Sequence, residues 1–215
     1  GGRSSRLAAA RLPPGGKAAV VFGGTSFLER VIASVAAEVD RVLVVASVGQ
    51  PLPPLPPAVE VVRDHAPEGG PLAAVRDGLV AVAGGIAGAR VAFVTACDMP
   101  LVRREVGRLL VARGLATGAG WVVPEWDGHP QVLLSVVAVD TLPAIEAHLA
   151  AGRRDLRSLV AALESDEPRL RVGTEGGSPT GAPPPVRPAG DSVRDVDTPD
   201  DLERLHARGI PPSFP

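Results

Sequence analysis

Val91-Ala92-Phe93-Val94-Thr95-Ala96-Cys97-Asp98-Met99-Pro100 is the stretch whose reading decides the fold. The unbroken apolar run Val91 to Ala96 predicts a short strand covered on both faces. Asp98 then falls just past the C-terminal end of that strand, where open α/β sheets place their ligand sites. A carboxylate there either holds a hard cation such as Mg²⁺ or caps the helix expected from Leu101 to Leu115. Cys97 beside it has no base partner in the sequence and reads as a buried structural thiol.

Outward from this stretch, strand and helix alternate. Downstream, Trp121-Val122-Val123 reads as a strand. Upstream, Pro71 to about Ala83 reads as a helix and Val59 to Val62 as a strand. Pro51 to Pro57 is too stiff and donor-poor for a helix or a central strand. Arg41-Val42-Leu43-Val44-Val45-Ala46 is a further buried strand. Thr25 to about Glu38 reads as a helix, with Ser26-Phe27-Leu28-Glu29 in the form of a capping box. This alternation predicts an α/β fold, a mostly parallel sheet with helices on both faces. After Gln131 the order loosens: a strand over Val132 to Val139, then helices near Thr141–Ala151 and Leu156–Leu163. Gly173 to Asp191 reads as a flexible loop. Thr198-Pro199-Asp200-Asp201 restarts a helix, with Thr198 as N-cap, Pro199 in the first turn and acids behind it. No internal repeat is present, and one domain over residues 1–215 is expected.

Composition narrows the partners. Lys and Arg number 22 against 24 Asp and Glu, a formal charge of −2, which leaves no broad basic surface for nucleic acid or an anionic membrane. Hydrophobic residues make up 45% but aromatics only 3%, so the core is built from Val, Leu, Ala and Ile. No apolar run approaches the roughly 20 residues needed to span a bilayer. The single cysteine excludes an intrachain disulfide framework and fits a reducing cytoplasm.

Several further residues carry candidate chemistry. Gly1-Gly2-Arg3-Ser4-Ser5-Arg6 offers backbone N–H groups and arginine forks to an anion, or is a polar chain end. A Gly-rich phosphate loop ordinarily follows a strand, and the expectation is that a first strand is missing before Gly1. Lys17, between Gly15-Gly16 and an apolar run, is either a solvated charge or a cation set against a triphosphate. Asp64 follows a strand and either contacts a base or ribose or caps a turn. Gly69-Gly70-Pro71-Leu72 would bring backbone close to a ligand at a helix start. His65, His129, His148 and His206 lack metal spacing. Trp126-Asp127-Gly128-His129-Pro130-Gln131 is a polar turn between strands, able to line a pocket.

Together these segments resemble the molybdenum cofactor guanylyltransferase family of Rossmann-like nucleotidyltransferases. The resemblance rests on Gly1-Gly2-Arg3-Ser4-Ser5-Arg6-Leu7, then Lys17 and Val20-Val21-Phe22-Gly23-Gly24. It continues through Val61-Val62-Arg63-Asp64 with Gly69-Gly70-Pro71-Leu72, Thr95-Ala96-Cys97-Asp98-Met99-Pro100, and Asp195-Val196-Asp197-Thr198-Pro199-Asp200-Asp201-Leu202. It covers nearly the whole chain in the family's order. Two features depart from the pattern: Ala8 stands where the family has Gly, and the spacer to Lys17 is longer.

The resemblance implies a three-layer α/β/α fold and transfer of GMP from GTP to molybdopterin with Mg²⁺. It implies that Gly1, Gly2 and Arg6 meet the phosphates, that Lys17 stabilises charge on them, and that Asp98 holds Mg²⁺. Asp64 and Ser47 would then contact the nucleoside. Arg153, Arg154 and Arg157 either meet the anionic pterin phosphate or form a solvated face. Transient contacts with other proteins of the cofactor pathway are a further expectation. Two rivals are a cytidylyltransferase of the same pathway and a non-catalytic nucleotide- or cofactor-binding relative.

Overall fold

The structure is a computed structural model that describes residues 12–64, 69–126, 129–166 and 196–207. Two short strands, β1 (Val21–Phe22) and β2 (Thr25–Ser26), form an antiparallel hairpin whose turn, Gly23-Gly24, takes positive φ at both residues. This corrects the expectation of a helix from Thr25. Helix α1 runs Phe27–Val35, because Ser26 already belongs to the hairpin and acts as N-cap. The capping box is complete: the Glu29 amide donates to Ser26 Oγ at 3.2 Å, and the Ser26 amide donates to Glu29 Oε2 at 2.8 Å. A short 3-10 turn over Ala36–Glu38 ends the segment.

Strand β3 (Val42–Ser47) pairs in parallel with β4 (Val59–Asp64), placing Ser47 opposite Asp64 at the C-terminal end. Helix α2 (Gly70–Gly85) returns over them and leads to β5 (Val91–Thr95). Helix α3 (Arg104–Thr117) follows and stops at Gly118, whose φ of 63° is the left-handed conformation that ends helices.

Strand β6 (Trp121–Val122) leads to a hairpin of β7 (Glu125–Trp126) and β8 (His129–Pro130), and β9 (Leu134–Ala138) comes next. The α/β class stands, with one difference in the pairing. No helix separates β6 from β9, so the hairpin returns the chain antiparallel, and β9 inserts between β5 and β6. β5 and β6 therefore run parallel to each other with an antiparallel strand between them. Helices α4 (Leu142–Ala150), α5 (Leu156–Asp166) and α6 (Pro199–Ala207) complete the described elements. The predicted loop over 173–191 lies outside the described residues.

Alternation along β9 and β6 divides the core. Val137 and Trp121 face α2, α4 and α5, packing with Leu72, Leu79, Ile145 and Leu159. Leu134, Val136 and Val122 face the other way, onto Val31 of α1 and Val106 and Leu110 of α3. All of β9 is buried, as a strand covered on both faces must be. Each Val or Leu so buried is worth about 1.5–3 kcal/mol relative to exposure. The one large polar handle in this layer is satisfied: Trp121 Nε1 donates to Ser135 Oγ at 2.9 Å, which donates to the Val132 carbonyl at 2.9 Å. Buried Arg30 donates to the Phe22 carbonyl at 2.9 Å and stacks 4.6 Å from the Phe22 ring, fixing the hairpin to α1. Among the described residues, no helix is long and apolar enough to cross a membrane.

Candidate active site

Lys17 is delivered by a turn that only glycine can make. Gly15 has φ of 102°, and a Cβ on it would stand 2.8 Å from the Pro51 carbonyl oxygen. Gln50 Nε2 reaches the Gly15 carbonyl at 3.4 Å, so the loop after β3 holds the turn in place. A 3-10 turn over Gly16–Ala19 then aims Lys17, itself buried, inward.

Its ammonium meets two carboxylates. Lys17 Nζ donates to Asp98 Oδ2 at 2.8 Å and also to Asp197 Oδ1. Burial, the largest single influence, would lower the Lys17 pKa, but the hydrogen bonds to Asp197 and Asp98 and the charges of the two carboxylates together outweigh it and the net shift is upward. Lys17 is therefore charged at neutral pH, and the cluster carries one positive charge against two carboxylates.

Asp98 owes its place to β5 and to the chain beyond it. The Ala96 amide donates to the Leu133 carbonyl at 3.0 Å, carrying the ladder one residue past the strand, and the chain then turns at Cys97-Asp98. The helix-cap alternative for Asp98 is settled by position: α3 begins at Arg104 with Arg103 as N-cap and no side-chain cap bond. Asp197 arrives from the far end of the chain, anchored because the Val196 amide donates to the Asp98 carbonyl at 2.9 Å. Behind it, the Thr198 amide donates to Asp201 Oδ2 at 2.9 Å and the Asp201 amide to Thr198 Oγ1 at 3.2 Å, starting α6. Val196 and Leu205 pack on Phe22 and Phe27, fastening the segment to the hairpin.

Sequence reading missed Asp197 as a site residue. Its signal was available: in Asp197-Thr198-Pro199-Asp200-Asp201 the cap uses Asp201, leaving the acid before Thr198 without a capping duty.

The other expected residues fare differently. Ser47 lies at the end of β3 and lines the same cleft as Lys17, Asp98 and Asp197; its carbonyl accepts from Arg63 at 3.1 Å. Asp64 is beside it in register but only 1% exposed, and it does not line the cleft. Gly1, Gly2 and Arg6 lie outside the described residues, as do Ala8 and His65. Arg153, Arg154 and Arg157 are exposed, and the Arg154 carbonyl lies 3.4 Å from where a Gly70 Cβ would sit, at the start of α2. Cys97 adjoins the cluster, and burial first, then the Asp98 charge, pushes its thiol up to about 11.

Two carboxylates converging on one cation fit a divalent metal. Asp98 and Asp197 are oxygen donors already gathered around the Lys17 ammonium, the donor type that Mg²⁺ takes when phosphates and water fill its remaining positions. Among the described residues there is no group of three or more His, Cys, Asp or Glu that would make an all-protein cage.

Comparison with known proteins agrees with this architecture. The model of the MobA-like NTP transferase domain matches residues 1–167. A protein of Mycobacterium marinum named probable molybdenum cofactor guanylyltransferase is 37% identical over 171 residues, covering 77% of this chain and 82% of that one. A crystal structure of molybdopterin-guanine dinucleotide biosynthesis protein A from Archaeoglobus fulgidus is similar at TM-score 0.60 and 19% identity, covering 90% of each chain. The 2-C-methyl-D-erythritol 4-phosphate cytidylyltransferase of Thermus thermophilus is similar at TM-score 0.63 and 21% identity, over 90% of this chain and 93% of that one. These two structures share the fold.

Proposed function

This chain belongs to the MobA-like NTP transferase family and is a nucleotidyltransferase, and on that premise we propose that it transfers GMP from GTP to the terminal phosphate of molybdopterin, releasing pyrophosphate. The observation that carries the proposal is the Lys17 ammonium held between Asp98 and Asp197 at the C-terminal end of β5. The name of the mycobacterial relative supports the choice of base and acceptor.

In this reaction an oxygen of the acceptor phosphate attacks the α-phosphorus of GTP. One P–O bond forms, the bond to the bridging α–β oxygen breaks, and its electron pair leaves with pyrophosphate. No covalent enzyme intermediate is required, so the protein's work is positioning and charge neutralisation. Lys17 turns from the carboxylates to the phosphates, where its charge offsets what develops on the leaving group. Asp98 and Asp197 would hold Mg²⁺, which would supply further charge neutralisation on the phosphate oxygens. Ser47 lines the cleft on the nucleoside side. Gly1, Gly2 and Arg6 stay assigned to the phosphates on the family resemblance.

The test is pyrophosphate release with Mg²⁺ and molybdopterin, run in parallel with GTP, CTP and ATP. Release confined to GTP supports the proposal. Release confined to CTP replaces the base, and nucleotide binding without release from any of the three overturns the transfer itself.

A further inference from the structure

Gln50 joins the end of β3 to the turn that carries Lys17. Its amide donates to the Ser47 carbonyl at 3.0 Å, closing a turn in which Gly49 takes φ of 77°. Its side-chain Oε1 accepts from the Ser47 amide at 3.2 Å, so both backbone groups of Ser47 are tied to this one residue. Its Nε2 donates across the cleft wall to the Gly15 carbonyl at 3.4 Å. One partner is a donor and the other an acceptor, a pair that a carboxamide satisfies in one orientation. Arg63 Nη1 braces the same turn, donating to the carbonyls of Ser47 at 3.1 Å and Gln50 at 3.2 Å.

The opposite side of this contact has little stiffness of its own. Gly15 and Gly16 have φ of 102° and 69°, and two glycines in succession leave the backbone free to rotate. Lys17 follows them directly. Ala18, one residue further on, packs with Leu28 and Ile32 of α1. Lys17 is therefore slung between an apolar anchor at Ala18 and a polar one at Gly15. It is also the only lysine of the chain, since every other member of the 22 Lys and Arg positions is arginine.

We propose that Gln50 is a positioning residue that holds Lys17 at its two carboxylates and, on the nucleotidyl-transfer reading above, couples the nucleoside end of the cleft to the phosphate end. A nucleoside seated against Ser47 rests on the turn whose side chain fixes Gly15, and Gly15 fixes the approach of Lys17. Gln50 acts through the lysine and touches no reacting atom. Its removal should therefore weaken the step in which the ammonium offsets developing charge, and spare the binding of the nucleoside.

The test uses Gln50→Met, which keeps the length of the side chain and removes both of its hydrogen bonds. The first readout is independent of nucleotide chemistry: acetylation by N-acetoxysuccinimide at pH 7, followed by mass spectrometry of the peptide that holds the single lysine. Lys17 of Gln50→Met should be acetylated at least about fivefold faster than in the unaltered chain, because its turn opens more often. The thermal midpoint should stay within about 2 °C. Gln50→Asn, one carbon shorter and unable to span both partners, should give the same increase. Equal acetylation rates in all three proteins overturn the proposal. The second readout is a double-mutant cycle with Lys17→Ala, followed by pyrophosphate release from the triphosphate that the unaltered chain uses. Gln50→Met should lower kcat by about tenfold and leave KM within about twofold, yet change kcat less than about twofold once Lys17 is alanine. An equal loss in both backgrounds, or a loss confined to KM, overturns the coupling through Lys17. If the unaltered chain uses none of GTP, CTP and ATP, it is the transfer reading that fails, and acetylation still decides whether Gln50 holds the lysine.

Discussion

The Lys17 ammonium lies 2.8 Å from the Asp98 carboxylate and also touches Asp197, joining residues 81 and 180 positions away in the chain. Without nucleotide, the lysine is the cation between the two acids, so a metal ion arriving alone must displace it. Lys17→Ala should therefore raise the affinity of the nucleotide-free protein for Mn²⁺ by about tenfold, since a competing charge is gone. The same change should lower nucleotidyl transfer by about 10²–10³-fold, the usual loss when a charge-stabilising group is removed. Mn²⁺ titration followed by electron paramagnetic resonance reads the first effect, and unchanged affinity would show that lysine and metal do not share the carboxylates.

Cys97 adjoins this cluster without serving it. Burial, reinforced by the Asp98 charge and opposed by Lys17, lifts its thiol to about 11. At pH 8 only about 0.1% is then thiolate, against roughly a quarter for a free cysteine. Alkylation by iodoacetamide at pH 8 should run at least about 100-fold slower than in the unfolded chain. Cys97→Ser should keep transfer within about twofold. Rapid labelling coupled to loss of activity would make the thiol a participant.

His148 gives the fold an acid-side weakness. It is buried between α4 and α5, with Nε2 2.9 Å from Ser158 Oγ. Burial, aided by the Arg153 charge and opposed by Asp155, holds its pKa below the usual 6.5. The folded chain thus favours neutral imidazole, and between the folded and unfolded pKa values the unfolded chain binds more protons. This contribution is fully present above about pH 6.5 and is lost as pH falls through the folded value. In denaturant melts at successive pH values, His148→Gln should flatten the loss of stability below pH 6.5. An unchanged slope would place the acid sensitivity elsewhere.

Gly114 is required by packing rather than by conformation. It lies in α3, and a Cβ there would stand 2.7 Å from Val136 Cγ1, a stiff β-branched side chain on the buried strand β9. Alanine gains about 1 kcal/mol in helix propensity, but overpacking costs about 1–3 kcal/mol. Gly114→Ala should therefore show a net loss of about 1 kcal/mol in urea unfolding. A gain would mean that α3 moves off the sheet at little cost.

Much of this architecture was legible because local rules agree along the first half of the chain. The run Arg41–Ala46 became β3 one residue later, and Val91–Ala96 became β5 one residue shorter. Apolar runs between turn residues have few other uses. Ser26 and Glu29 form the reciprocal cap their spacing predicts. Thr198 and Asp201 do likewise, with aspartate in the role usually given to Glu or Gln. What escaped was non-local. The apolar run after Lys17 becomes a strand only because the turn at Gly23-Gly24 folds Val21-Phe22 onto Thr25-Ser26. The insertion of β9 depends on a hairpin rather than a helix after β6. Asp197 reaches Lys17 through tertiary contacts, the backbone bond from Val196 to Asp98 and the packing of Val196 and Leu205 on Phe22 and Phe27. Asp64, which its place after a strand left open between a nucleoside contact and a turn cap, lies buried at the end of β4 opposite Ser47.

The most direct test of the account follows the label from [α-³²P]GTP into molybdopterin with Mg²⁺, comparing the unaltered chain with Asp98→Asn. Asparagine keeps the size of the side chain and removes the charge that pairs with Lys17 and that, in the proposed function, would hold the metal. The account predicts one labelled product per pyrophosphate released by the unaltered chain, and a rate lower by at least about 10²-fold in Asp98→Asn with the thermal midpoint little changed. Equal label transfer by both proteins would contradict it.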